Sequence, residues 1–186
     1  DVERSRGLGD VYKRQERTSL AAIVDAGRDI LETAGPAGLT MQAVAERVGV
    51  RAPSLYKRIR DRDALLTAVA EASADALTSR LETAGDELPL LAAAYRSFAH
   101  EHPEAFRLLF TASAPEDALH RTSAPVLHSC ADLVGPEHAL DAARLFTAWA
   151  TGFLQMELAG MFRLGGDVDE AFDYAMDRII AGLTAA

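Results

Sequence analysis

Residues Leu39–Leu66, LTMQAVAERVGVRAPSLYKRIRDRDALL, decide how this chain is read. Thr40 is placed to cap a short helix whose apolar stripe is Met41, Val44, Ala45 and Val48. Gly49 and Val50 break that helix, glycine allowing a sharp turn where a side chain would be strained. A second helix begins around Ala52 and Pro53, proline being tolerated in a first helical turn. It buries Leu55 and Ile59 and leaves Arg51, Ser54, Tyr56, Lys57 and Arg58 outside. A third helix opens at Asp61. A short helix with one apolar edge and an outer face of small, hydroxyl and basic side chains suits a DNA groove. The segment reads as a helix-turn-helix.

Charge supports a single DNA-facing end. From 16 to 63, eight basic residues stand against seven acidic; from 64 to 186, seven stand against eighteen. The first balance is modest, but Arg47, Arg51, Lys57, Arg58, Arg60 and Arg62 are clustered, and the acidic remainder would be repelled by phosphates. Ser5–Gln15, SRGLGDVYKRQ, is what a transposon-based sequencing adaptor encodes in one reading frame. Residues 1–15 are therefore read as adaptor-derived and set aside from the fold; a natural basic arm with Arg4, Arg6, Lys13 and Arg14 is the alternative.

A hydrophobic content of 49% is enough to build a core, and 25% charged residues is ordinary for a soluble protein. No apolar run reaches the roughly 18 residues a membrane span needs, and no secretory segment follows the N-terminus. A cytoplasmic protein without membrane partners is expected. The single cysteine, Cys130, excludes an internal disulfide framework and reads as a small buried apolar residue.

The remaining periodicity is helical, giving an all-α chain of about nine helices. Leu20, Ile23, Val24, Gly27, Ile30, Leu31 and Ala34 mark a first helix, ended by Gly35-Pro36 and Gly38. A long helix runs from Asp61 or Asp63 to near Gly85, another over Leu88–Glu101, and a short one follows His102-Pro103. Thr111 to Pro125 is the least periodic stretch, with Ser123 placed to cap a helix beginning at Pro125 and running to Val134. A long helix is expected from Glu137 to about Arg163, and a last one capped by Asp167 or Asp169. The expected division is a DNA-binding domain over 16–62 and a ligand-binding and dimerisation domain over 63–186.

With amphipathic helices on both sides of the motif, the stretch from about Thr18 to Val69 resembles the tetracycline-repressor (TetR) family of one-component regulators. TMQAVAERVGVRAPSLYK followed by RDRDALL carries the resemblance. Arg58-Ile59 stands where that family usually has histidine-phenylalanine, and Arg62 stands where a lysine is frequent. The run from Ala148 to Ile180 is similar to a subgroup whose penultimate helix carries a tryptophan and a histidine-glycine pair; Gly152 is kept, while Thr151 replaces the histidine. The resemblance implies a double-stranded DNA operator as partner, with Thr40, Tyr56, Lys57 and Arg62 on phosphates and Arg51, Ala52, Pro53 and Ser54 facing base edges. Arg58 adds a charge that could reach phosphate.

Tyr95, Phe98, Phe106, Leu109, Phe110, Trp149, Phe153 and Met156 lie at helical spacing and are candidates to line a pocket for a small apolar or aromatic ligand. Each alone reads more readily as core; together they could line an apolar cavity. His100-Glu101-His102 with Glu104 is not read as a metal site, because the two histidines would point about 200° apart on one helix. No cofactor, metal or catalytic grouping is expected, and the chain is not read as an enzyme. Small and apolar residues of the last two helices, Leu145, Trp149, Gly152, Phe153, Met156, Ala159 and Gly160 with Phe172, Ala175, Met176 and Ile179, point to a homodimer through those helices. Together these readings describe a dimeric regulator, a repressor released from a palindromic operator by its ligand. A helical interaction or scaffold protein of the same fold that no longer binds DNA is the alternative.

Overall fold

Ser19 accepts a hydrogen bond from the Ala22 amide at 3.1 Å and so starts α1 (Leu20–Gly38). The computed structural model describes residues 19–185; the adaptor-like residues 1–15 lie outside them. Among the described residues the chain forms nine α-helices and no strand, in agreement with the all-α reading. After α1 come α2 (Met41–Val48), α3 (Ala52–Leu55), α4 (Arg62–Ala84), α5 (Leu88–Glu101), α6 (Pro103–Leu108), α7 (Glu116–Val134), α8 (Ala139–Leu158) and α9 (Val168–Thr184).

These helices divide into two compact units. The first holds the chain up to Ala74 together with Glu104–Glu116; the second holds Asp75–Pro103 and the chain from Asp117 onward. The division between these units falls at Ala74, partway along helix α4. The reason is packing: Leu65, Leu66, Val69 and Ala70 are buried on the first half of α4. Short α6 joins the first unit through Glu32 of α1, whose carboxylate accepts from the Glu104 and Ala105 amides at 3.1 and 2.8 Å. Those amides open a helix and lack partners of their own, so a carboxylate there is doubly favoured.

Within the first unit, α1 buries Ile23, Val24, Ala26, Gly27, Ile30 and Leu31, and kinks at Gly35 before closing at Gly38. Thr40 caps α2 by accepting from the Ala43 amide at 3.1 Å. Gly49 ends α2 at φ 74°, a left-handed conformation that strains any side chain. Its amide and that of Val50 return to α2 carbonyls, Val50 reaching Ala45 at 2.9 Å. Asp61 caps α4, accepting from the Ala64 amide at 2.8 Å.

In the second unit, two helices differ from expectation. Helix α7 begins at Glu116, not at Pro125, and carries Pro125 inside it. Ser123 does not cap it; its hydroxyl donates to the His120 carbonyl at 2.9 Å. Ala118, Val126 and Cys130 are buried, and Thr122 between them bonds Thr78 of α4 at 2.8 Å. That continuous stripe at spacing four outweighs the hydrogen bond a proline nitrogen cannot make. Helix α8 is shorter than expected, stopping at Leu158, because Gly160 takes φ 62° and the Met161 amide turns back to the Met156 carbonyl at 2.9 Å. Asp167 caps α9, accepting from the Asp169 and Glu170 amides.

Gly27 of α1 lies against Val69 and Leu65 of α4. A Cβ there would lie 2.8 Å from Val69 Cγ2, with Leu39 and Leu65 methyls at 3.5 and 3.6 Å. Valine is stiff at χ1 and Val69 is fully buried, so the added methyl has nowhere to go. Gly27→Ala should lower stability by roughly 1–3 kcal/mol in urea unfolding. An unchanged midpoint would show that this contact relaxes freely.

Candidate nucleic-acid interface and effector region

Helix α3 is a single turn. Tyr56, Lys57 and Arg58 follow it as a turn rather than as the continued helix expected through Ile59. The Arg58 and Ile59 amides both return to the Leu55 carbonyl, at 2.8 and 2.9 Å. Leu55 and Ile59 are buried as the pattern requires, and Arg51, Tyr56, Lys57 and Arg58 are exposed, with Ser54 half-buried. Ala52 is half-buried and Pro53 exposed.

Electrostatics separates the cations of this region into two groups. Arg47 is tied to Asp29 at 3.2 Å and Arg60 to Asp61 at 2.6 Å. Arg51, Lys57 and Arg58 have no ion-pair partner among the described residues. Among the described residues these three cations are thus unpaired, and they stand close in the chain to the exposed Tyr56. The Thr40 oxygen accepts from its own helix, leaving the hydroxyl proton to donate elsewhere. Arg62 is engaged: Nε donates to the Leu39 carbonyl at 2.9 Å and Nη2 to the Pro36 carbonyl.

The candidate ligand residues do not all share one unit. Phe106, Leu109 and Phe110 belong to the first. Phe106 and Leu109 are buried there, and Phe110, 49% exposed, meets the Phe106 ring edge-on at 5.2 Å. Tyr95, Phe98, Trp149, Phe153 and Met156 belong to the second. Trp149 lies 5.1 Å from Phe172 and 6.0 Å from Phe153, and Phe153 also meets Phe162 at 4.8 Å. Tyr95 bonds the Thr151 hydroxyl at 3.0 Å, and burial pushes its phenol up to about 12. Phe98 is buried beside His102, while Met156 is 47% exposed.

A polar knot that the sequence reading missed lies between α5, α8 and α9. Arg96 donates to both Glu157 oxygens and to Asp169, and its guanidinium lies 4.8 Å over the Phe172 ring. The Arg96 and Glu157 side chains are only 17% and 12% exposed. His100 reaches Glu157 at 3.2 Å. These groups border a cleft of about 450 Å³ also lined by Ala93, Ser97 and Asp173. Arg96 and Glu157 are 61 residues apart, so no local spacing could have paired them. Among the described residues no His, Cys, Asp and Glu group is arranged to hold a metal, and no helix is long and apolar enough to cross a membrane.

Comparison with known proteins agrees with this geometry. The sequence profile described as "Bacterial regulatory proteins, tetR family" matches residues 23–69, and that described as "Tetracyclin repressor-like, C-terminal domain" matches residues 88–179. The chain is 29% identical over 183 residues to the uncharacterized HTH-type transcriptional regulator Rv0681 of Mycobacterium tuberculosis, spanning 91% of this chain and 84% of the relative. It is 34% identical over 104 residues to the tetracycline repressor protein class A from transposon 1721 of Escherichia coli, spanning 55% of this chain and 45% of that one. A solved structure of a protein of unknown function from Rhodococcus sp. RHA1 superposes with a TM-score of 0.73 at 28% identity, covering 87% of this chain and 93% of that one. The fold and the helix-turn-helix define a DNA-binding transcriptional regulator, not an enzyme. The chain belongs to the TetR family.

The Arg96 knot makes stability depend on acid. Burial alone would push the Glu157 carboxyl up, but hydrogen bonds from Arg96 and His100 outweigh it and hold the group below the ordinary 4.5. A carboxyl depressed in the folded state stabilises above its ordinary value and loses that contribution as pH falls through the folded one. The unfolding temperature should therefore fall as the pH drops below about 4.5. Glu157→Gln should flatten that decline and cost roughly 1–3 kcal/mol at neutral pH, since Arg96 keeps Asp169. Identical acid profiles for both proteins would remove Glu157 as the cause.

Proposed function

We propose that this regulator is a homodimeric, ligand-responsive repressor that binds a palindromic DNA operator in the cytoplasm and is released by a small apolar or aromatic ligand. The observation that carries the DNA contact is the set of exposed cations Arg51, Lys57 and Arg58, unpaired among the described residues and close in the chain to the exposed Tyr56. Thr40, Tyr56, Lys57 and Arg58 are assigned to phosphates. Arg51, Ala52, Pro53 and Ser54 face base edges, with Arg51 suited to a bidentate guanine contact.

Repression is supported by the E. coli relative, named as a repressor, which matches over part of its length. The dimer is supported by the exposed apolar and small side chains Leu145, Ala148, Gly152 and Met156 on α8 and Tyr174 on α9. A two-fold pair presents two recognition elements to two half-sites about one helical turn apart, or a multiple of it. Tyr95, Trp149 and Phe153, all in the second unit, are assigned to the ligand. Release requires only that the ligand bind better to a state with misplaced recognition elements, and α4, which continues from one unit into the other, is the assigned lever.

Fluorescence anisotropy with duplex DNA over a salt series tests the contact. The wild-type protein should bind with a steep negative slope, and Lys57→Ala should make that slope shallower by about 0.9. Binding that is absent, or indifferent to salt, would favour the scaffold reading instead. Sedimentation tests assembly: Leu145→Glu combined with Met156→Glu should convert a dimer into a monomer with unchanged helical circular dichroism. A wild-type monomer at micromolar concentration would sink the dimer.

A further inference from the structure

Arg62 opens α4, yet its guanidinium turns back to the end of α1. Nε donates to the Leu39 carbonyl at 2.9 Å and Nη2 to the Pro36 carbonyl. Those carbonyls lie where α1 closes, among the last groups of a helix that have no partner within it. Leu39 is the C-cap of α1, fully buried, and its neighbour Thr40 is the N-cap of α2. Whatever holds the Leu39 carbonyl therefore sets the direction in which α2 departs, and with it the turn at Gly49 and α3. The other end of the clamp is equally fixed, because Asp61, next to Arg62, caps α4 through the Ala64 amide.

A guanidinium is better suited to this than an ammonium. Its donors form a planar fork that reaches two acceptors in a set geometry, whereas lysine offers a flexible point charge. We infer that Arg62 is a positioning residue for DNA binding: its fork on Pro36 and Leu39 fixes α2 and α3 against α4, in place of a phosphate contact. This rests on the DNA-binding reading above. It makes arginine and lysine non-equivalent here despite their equal charge.

The test compares full-length wild type, Arg62→Lys, Arg62→Ala and Lys57→Ala. Each is titrated into a duplex selected by the wild type from a random library, over a salt series, at a temperature where all show equal helical circular dichroism. Amide hydrogen exchange is followed without DNA. Arg62→Lys and Arg62→Ala should both bind roughly tenfold more weakly, the worth of about one lost hydrogen bond or two. Their salt slopes should match the wild type, unlike that of Lys57→Ala, and the Ala43–Ala45 amides should exchange faster in both. The inference is overturned if Arg62→Lys equals the wild type in affinity and exchange. It is overturned equally if Arg62→Ala makes the slope shallower by about 0.9 and lysine restores it, the signature of a phosphate contact. Should Arg62→Ala fail to fold, Arg62→Lys carries the comparison. If the wild type binds no duplex, the DNA-binding reading falls and the exchange rates alone decide the clamp.

Discussion

A helix of four residues has no stability of its own. One turn fixes several backbone dihedrals for little hydrogen bonding, so α3 exists only because its surroundings hold it. The rest of the first unit answers that constraint. Leu55 and Ile59 anchor the turn from below, the left-handed Gly49 sets its distance from α2, and α2 is positioned by Thr40. Beneath them α1 and α4 meet at Gly27 closely enough to exclude a methyl group. A helix this short is placed only as precisely as its neighbours place it.

The contrast between the units follows from what each must face. In the first, the exposed cations Arg51, Lys57 and Arg58 have no acidic partner among the described residues, while Asp29 pairs with Arg47 and Asp61 with Arg60. In the second, cations are consumed internally: Arg96 by Glu157 and Asp169, Arg80 by Glu101, Arg121 by Asp75 and Asp117. The hydrogen bond from Arg80 holds the Glu101 carboxyl down at about 2. The same residue types thus serve two ends. Unpaired cations on the turn after α3, beside paired ones elsewhere, concentrate positive potential at that turn.

The helix-turn-helix was legible because its information is local: a cap, a stripe and a glycine within one short run. The outer helices were legible for the same reason, α5 to the residue, since Leu88 and Glu101 bound a clean stripe before His102-Pro103. Misreadings came where one strong local signal hid a longer one. Pro125 read as a beginning because proline favours first turns, while the Ala118–Thr122–Val126–Cys130 stripe is built of small side chains that carry little hydrophobic signal. Gly165-Gly166 read as the end of α8 because a pair of glycines outweighs the single Gly160 that ends it. Arg62 and the Arg96–Glu157 pair were beyond local reading altogether, each depending on partners dozens of residues away.

Helix α8 shows how far burial alone can be pushed toward an assembly. Phe146, Ala150 and Leu154 recur every four residues and are buried within the chain. Ala148, Gly152 and Met156 recur at the same spacing on the opposite side and are exposed, with Leu145 beside them. A helix apolar on both faces is ordinarily covered on both, because an uncovered stripe this long invites association. The outer face is also built of small side chains at its centre, where Ala148 and Gly152 would let a second helix approach closely. Of the charged residues of the helix, Asp141 and Arg144 lie in the first turns, and Glu157 in the last turn is taken up by Arg96. The inner face is satisfied by this chain, and the outer face has the composition that a second copy of the same helix would fit.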